Sequence, residues 1–389
     1  TIAVRGKKFP ERATYLWIRS ARWDLTFLVG SVVLAIIPYS IYVILGGSAL
    51  EEASIKGTVA YQARVFVNLL VTVFIAGPHM YATFTRTLLD PAYARRHLGL
   101  IAVSCLVPLG VVAAAVASYE SYVWLLTVFF GLASVHALHQ IVWLTQAYNR
   151  RARVPYALPS RLIDYAAVFT SLYPVAVSKM VRGQFQIGPV YLEYNHLIFG
   201  WYWFADLVTA VFGVCLTLFV VKTIAEIRAG QFNVPRTLLI AVTIPVMFTL
   251  PAFPNLDTSF QGANTWHSFQ YLALTWYANY LREKVTGKKV GFLHWPTVDS
   301  LQGLWSNLGG RIGAPGRDSG WTTYYLACFA LVPVSGVLIV AASLIWPGLH
   351  AGRPGADEAY RYMVVLSALL VHYLQDTFLF TDADAIIAS

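Results

Sequence analysis

The stretch His136–Arg151, HALHQIVWLTQAYNRR, sets two histidines, a glutamine and a basic end into a run that otherwise suits lipid. Whether those imidazoles meet water or hydrocarbon depends on what surrounds them. Hydrophobic residues make up 57% of the 389-residue chain and charged residues only 12%, about half the charge of an ordinary soluble protein. Apolar runs long enough to cross a bilayer recur from end to end. The fold expected is therefore all-α: a polytopic transmembrane helical bundle in which every backbone polar group is satisfied within a helix.

Ten spans are expected, at about 24–46, 64–89, 98–118, 121–148, 161–180, 192–221, 236–253, 260–282, 321–346 and 360–381. Pro174 and Pro245 are expected to kink the fifth and seventh. Charge orients the set. With both termini cytoplasmic, only Lys56, Arg64, Lys179, Arg182, Arg353 and Arg361 face out, which leaves 22 of the 28 basic residues on the inner side. That asymmetry obeys the positive-inside rule, so the net charge of +9 reports topology and not a nucleic-acid partner. The first twenty residues are basic and broken by proline, unlike a cleavable signal peptide; the chain is expected to start after loss of an initiator methionine.

Four regions follow: residues 1–23 as an interfacial cytoplasmic segment, 24–282 as spans one to eight, 283–320 as a cytoplasmic amphipathic strap, and 321–389 as spans nine and ten with a short tail. In the first, RATYLWIRSARW mixes arginine with Tyr15, Trp17 and Trp23, as a headgroup-level segment does. In the strap, Thr297 can cap a short helix bearing Val298, Leu301, Trp305 and Leu308 on one face. LPAFPNLDTSFQGANTW, between spans seven and eight, reads as a loop. Cys105, Cys215 and Cys328 all lie in apolar runs, which argues against a disulfide framework or a thiolate metal site. A weak echo relates Gln140-x3-Leu144-Thr145-x3-Asn149 to Gln270-x3-Leu274-Thr275-x3-Asn279.

Six of the nine histidines fall in even-numbered spans, which all run in the same direction. Five of them, His79, His136, His139, His267 and His372, share a layer roughly 10–22 Å above the cytoplasmic boundary at 1.5 Å per residue. His196 sits near the outer end of its span. Polar groups at such depth are costly and mark function. His136 and His139 share a helix face, as do His267 and Gln270, and His372 and Asp376. Asp206, deep in the expected sixth span, can pair with a ligand histidine or carry protons. Imidazole with carboxylate and no thiolate suits iron, copper, zinc or nickel. The candidate metal ligands are His79, His136, His139, His267, His372 and Asp376, with non-haem iron the preferred ion. Haem b, on two facing imidazoles, is the alternative, although Gly77 and Gly131 form no pattern that admits a porphyrin. No HExxH is present for a zinc hydrolase.

In placing His79, His136 or His139, His267 and His372 on separate helices, the chain resembles the bacterial membrane-embedded carotenoid-cleaving dioxygenases of the Brp/Blh type. That resemblance implies one iron held between spans and a lipophilic substrate. GPHMYATFTR, WHSFQYLALTWYANYLR and VHYLQDTFLF are similar to His-rich helices of other bacterial integral membrane proteins. The clustered HxxxH and HxxHH boxes of membrane desaturases and alkane hydroxylases are absent. The function expected is an intramembrane metal-dependent oxidoreductase of the bacterial inner membrane acting on a lipophilic small molecule, in contact with membrane lipids. Alternatives are a haem-bearing or structural subunit of a respiratory or photosynthetic complex, and a proton-coupled transporter.

Overall fold

A computed structural model describes residues 16–47, 55–152, 155–253, 256–286 and 320–379. They are almost entirely helical: α1 Ala21–Ile44, α2 Val59–Arg86, α3 Leu98–Ala117, α4 Tyr119–Arg150, α5 Leu158–Thr170, α6 Tyr173–Val181, α7 Tyr202–Arg228, α8 Val234–Ala252, α9 Leu256–Thr286, α10 Gly320–Phe329, α11 Val332–Ile345 and α12 Ala359–Leu379. The one sheet among them is a hairpin of β1, Gln186–Ile187, and β2, Val190–Tyr191. Eight stretches are long and apolar enough to cross a membrane: α1, α2, α3, α4, α7, α8, the α10–α11 pair over Tyr324–Ile345, and α12.

The exception with most consequence is α9. It is 31 residues long but too polar to count among the eight. It is nonetheless the most enclosed helix: from Thr265 to Trp276 every residue except Phe269 is buried. A helix enclosed all round is the centre of its fold, and α1, α2, α4, α8 and α10 pack on this one. Its serines, threonines, glutamines and single histidine are mostly buried within the bundle. Gln140 Nε2 on α4 lies 3.1 Å from Gln270 Oε1, so the two glutamines that head the sequence echo meet at one point.

Local irregularity lets neighbours come close. In α1 the backbone widens to a π turn at Leu25–Val29 and tightens to a 3-10 turn at Gly30–Ala35. Such turns free carbonyls; that of Leu28 accepts from Gln270 Nε2 at 2.5 Å. Gly262 of α9 lies against the Ala35 carbonyl with no room for a Cβ. In α2, Pro78 has no N–H for the Phe74 carbonyl. A π turn occupies Thr72–Ala76, and Tyr325 donates to that carbonyl at 2.6 Å.

Buried ion pairs clamp the bundle. Arg64 of α2 bonds Asp257 at 2.6 Å and Glu358 at 2.5 Å, and Asn68 donates to Asp257 at 3.0 Å. Lys222 of α7 pairs with Asp164 of α5, and Arg236 of α8 pairs with Glu226 of α7. Arg282 of α9 holds Asp90. In the first turn of α1, Asp24 accepts the backbone N–H of Ile18 at 2.7 Å and the hydroxyl of Tyr148 at 2.9 Å. Trp17 and Trp23 are buried in the bundle, where headgroup-level residues were expected.

Three further expectations change. The fifth span breaks near Ser171 into α5 and α6, with Pro174 in the first turn of α6 where its missing N–H is tolerated; Pro245 lies inside an unbroken α8. The sixth begins late. Tyr194–Ile198 is a separate short helix, Gly200 turns the chain at φ +79°, and α7 runs from Tyr202 to Arg228. The expected loop before α9 is mostly helix, since α9 starts at Leu256. The proposed capped helix at Thr297 and nearly all of the strap lie outside the described residues.

Candidate metal centre

Four helices each bring one imidazole to a common point: His79 from α2, His136 from α4, His267 from α9 and His372 from α12. One nitrogen from each lies within 4.8 Å of all the others. The rings close a square. His79 lies 4.8 Å from His267 and 4.4 Å from His372, and His136 lies 4.9 Å from each of the same two, centroid to centroid. Adjacent ring planes stand at 72–82°, so edges and not faces converge. Nε2 of all four is buried, and none has a hydrogen-bond partner. Four orphaned nitrogens at one buried point require an explanation, and a shared cation supplies it. A tetrahedral shell at metal–nitrogen bonds of 2.0–2.1 Å sets its donors about 3.4 Å apart, so the ring closes on an ion by sub-ångström to ångström movements of each side chain.

The layer beneath follows a rule. Four residues after each histidine comes a polar group: Thr83, Gln140, Tyr271 and Asp376. Three of these form one hydrogen-bonded unit. Thr83 Oγ1 lies 2.8 Å from Asp376 Oδ1, 2.6 Å from His372 Nδ1 and 2.5 Å from the Tyr271 hydroxyl. Tyr271 also donates to Asp376 Oδ1 at 2.6 Å. Gln140 Nε2 reaches the His267 carbonyl at 3.2 Å. The same offset on each helix means that α2, α4, α9 and α12 run parallel through the centre. The Tyr373 ring stacks on His136 at 4.1 Å, and Tyr271 meets His79 edge-on at 4.8 Å. Outer-shell groups of this kind orient ligand imidazoles.

Of the residues expected as ligands, His79, His136, His267 and His372 come together and His139 does not. His139 is three residues past His136, about 60° round the helix, and lies outside the square, half-buried. Asp376 lies beside the square: its Oδ2 is 3.9 Å from His136 Nε2 and 3.5 Å from His372 Nδ1. His196 is exposed and 3.7 Å from Glu193. Asp206 is exposed in the first turns of α7, away from any ligand histidine. Thr83, Tyr271 and Tyr373 escaped the sequence reading, and Gln140 entered it only through the echo with Gln270. For Thr83, Gln140 and Tyr271 the signal is the spacing His-x3-polar, visible only once the histidines are taken as a set; Tyr373, next to His372, falls outside that spacing.

Comparison with protein-family models, with curated proteins and with solved structures finds no match for this chain.

Proposed function

We propose that the protein is a multi-pass oxidoreductase of the bacterial inner membrane that holds one non-haem iron among His79, His136, His267 and His372 and acts on a lipophilic substrate. The observation that carries this reading is the convergence of four buried, unpartnered Nε2 atoms from four separate helices. Four neutral nitrogens without thiolate suit iron, copper or zinc. Iron is preferred because the resemblance to the Brp/Blh dioxygenases rests on His79, His136 or His139, His267 and His372, a set that includes these four. When bound, such an ion supplies redox and oxygen-activating chemistry. The protein's own residues orient the imidazoles through Thr83 and Asp376 and exclude water. Haem fits less well: between two axial imidazoles a porphyrin needs the positions that the other two histidines occupy.

Topology supports the membrane reading. Helices α4 and α9 run parallel through the centre, so an odd number of crossings separates them; α5–α6, α7 and α8 supply three. With α9 counted as the polar axial helix, ten crossings result, which puts both termini on one side; the positive-inside rule makes that side the cytoplasm.

Metal analysis of the purified protein tests the proposal. About one equivalent of iron is expected, lost on His→Ala at any of the four positions. Less than about one-tenth of an equivalent of every transition metal, in protein purified without chelator, defeats it. An equivalent of zinc or copper keeps the site and rejects the iron.

A further inference from the structure

The surroundings of the square identify what kind of molecule reaches it, on the premise that the metal reading above holds. One cavity of about 100 Å³ lies along the helices that carry the square. Its walls include Ala76, Asn264 and Leu369, each three residues before its histidine, and Phe129, Phe260 and Val365, each seven before. These positions are one and two turns up the parallel helices, so the cavity lies a turn above the imidazoles, none of which lines it. A second, larger chamber of about 300 Å³ lies to the side, between α4, α6, α8 and α9. Phe130 and Phe260 line both spaces, with ring centroids 4.9 Å apart. The pair is the partition between them.

The two spaces differ in chemistry. The side chamber is walled by apolar residues such as Ala137, Ala176 and Met180. Three of its four hydroxyls are spent on the backbone: Ser134 donates to Gly131, Tyr194 to Thr127, and Ser259 to Leu250; Tyr173 supplies the fourth. The chamber is lined by no amide or charged side chain. The axial cavity carries the amides Asn68, Gln261 and Asn264, and Asn68 Oδ1 is buried without a hydrogen-bond partner. An unpaired buried acceptor favours a ligand that donates to it. Charge at the far end is already balanced, because Arg64 and Arg361 are held by Asp257 and Glu358. A charged ligand group would enter without a counter-ion, at a high desolvation cost.

We propose that the site takes a slender amphiphile, with its apolar chain in the side chamber and a small uncharged hydrogen-bonding end, such as a hydroxyl, passed between Phe130 and Phe260 into the cavity over the histidines. Phe260 is then a specificity-determining residue that admits a thin chain and stops a bulky one.

Photolabelling of the full-length purified protein tests this with hexadecanol carrying a diazirine beside the hydroxyl. Adducts are expected on Met80, Asn264 or Leu369, reduced about tenfold by excess unlabelled hexadecanol. Filling the passage with Phe260→Trp, or the side chamber with Ala176→Phe, is expected to lower those adducts by a similar factor. The same chain ended in sulfate is expected to give none. Adducts confined to outward-facing residues such as Leu106 and Val214 overturn the proposal, as do axial adducts indifferent to both substitutions or equal with the sulfate probe. Labelling needs no ion, so it is read beside the metal content. Labelled protein that never holds metal sinks the iron reading alone; metal-bearing protein that never labels sinks the amphiphile alone. Retained metal in both variants shows that they fold.

Discussion

Thr83 Oγ1 and His372 Nδ1 lie 2.6 Å apart, with the Asp376 carboxylate as the acceptor that orders their protons. The single Thr83 proton goes to Asp376 Oδ1 at 2.8 Å, so the imidazole Nδ1–H donates to the hydroxyl oxygen. His372 Nε2 is then left with its lone pair toward the square. A threonine thus sets the tautomer of a ligand on another helix. Thr83→Val is expected to weaken metal retention about 10- to 100-fold, while Thr83→Ser restores it. Titration with a competing chelator reads both; equal retention by Val and Ser refutes the tautomer role.

The square separates two histidines that share a helix. His136→Ala is expected to remove essentially all bound metal. His139→Ala, half-buried and outside the ring, is expected to retain within about a factor of two of the wild-type content. Equal loss from both variants would show that the ligand set is wrong.

Arg64 is fully buried between Asp257 and Glu358. Arg64→Met leaves two buried carboxylates short of a cation and is expected to cost about 3–5 kcal/mol. Adding Glu358→Gln and Asp257→Asn is expected to recover part of that loss, because the stranded charges go with it. Thermal unfolding of the variants in one detergent checks the order; a triple variant no more stable than the single one contradicts it. Gly188, at φ +50°, packs on the same guanidinium, and a Cβ there would lie 2.6 Å from Nη1. Gly188→Ala should therefore weaken the same clamp.

Two helical glycines are expected to respond oppositely. A Cβ on Gly262 would collide with the Ala35 carbonyl, backbone against backbone, whereas Gly336 has nothing within 4 Å. Gly262→Ala is expected to lower the melting temperature by several degrees, roughly the 1–3 kcal/mol of an overpacked contact. Gly336→Ala is expected to be neutral or to stabilise by up to about 1 kcal/mol. A tolerated Gly262→Ala would mean that α1 and α9 are not in contact there.

The apolar runs were legible because length and composition alone decide whether a helix can cross a bilayer. The shared depth of His79, His136, His267 and His372 was legible for a related reason: spans running the same way make residue counts comparable. His139 was included because spacing along one helix cannot say how narrow the meeting point of four helices is. The break near Ser171 and the turn at Gly200 were hidden in apolar, aromatic sequence that reads as continuous helix; only the backbone shows Gly200 at φ +79°. The roles of Thr83 and Tyr271 depend on contacts between residues 188 apart, which no local pattern carries.

The polarity of α9 has a consequence for how the protein is made. A segment rich in serine, threonine and glutamine gains little by partitioning alone from the translocon into lipid. Its stability comes from the helices around it, two of which lie later in the chain: α10, which packs on it, and α12, whose His372 and Asp376 meet its His267 and Tyr271. On the membrane reading proposed above, this segment stays sheltered until α12 has emerged from the ribosome, and a nascent chain truncated before His372 is expected to be a substrate for membrane quality control.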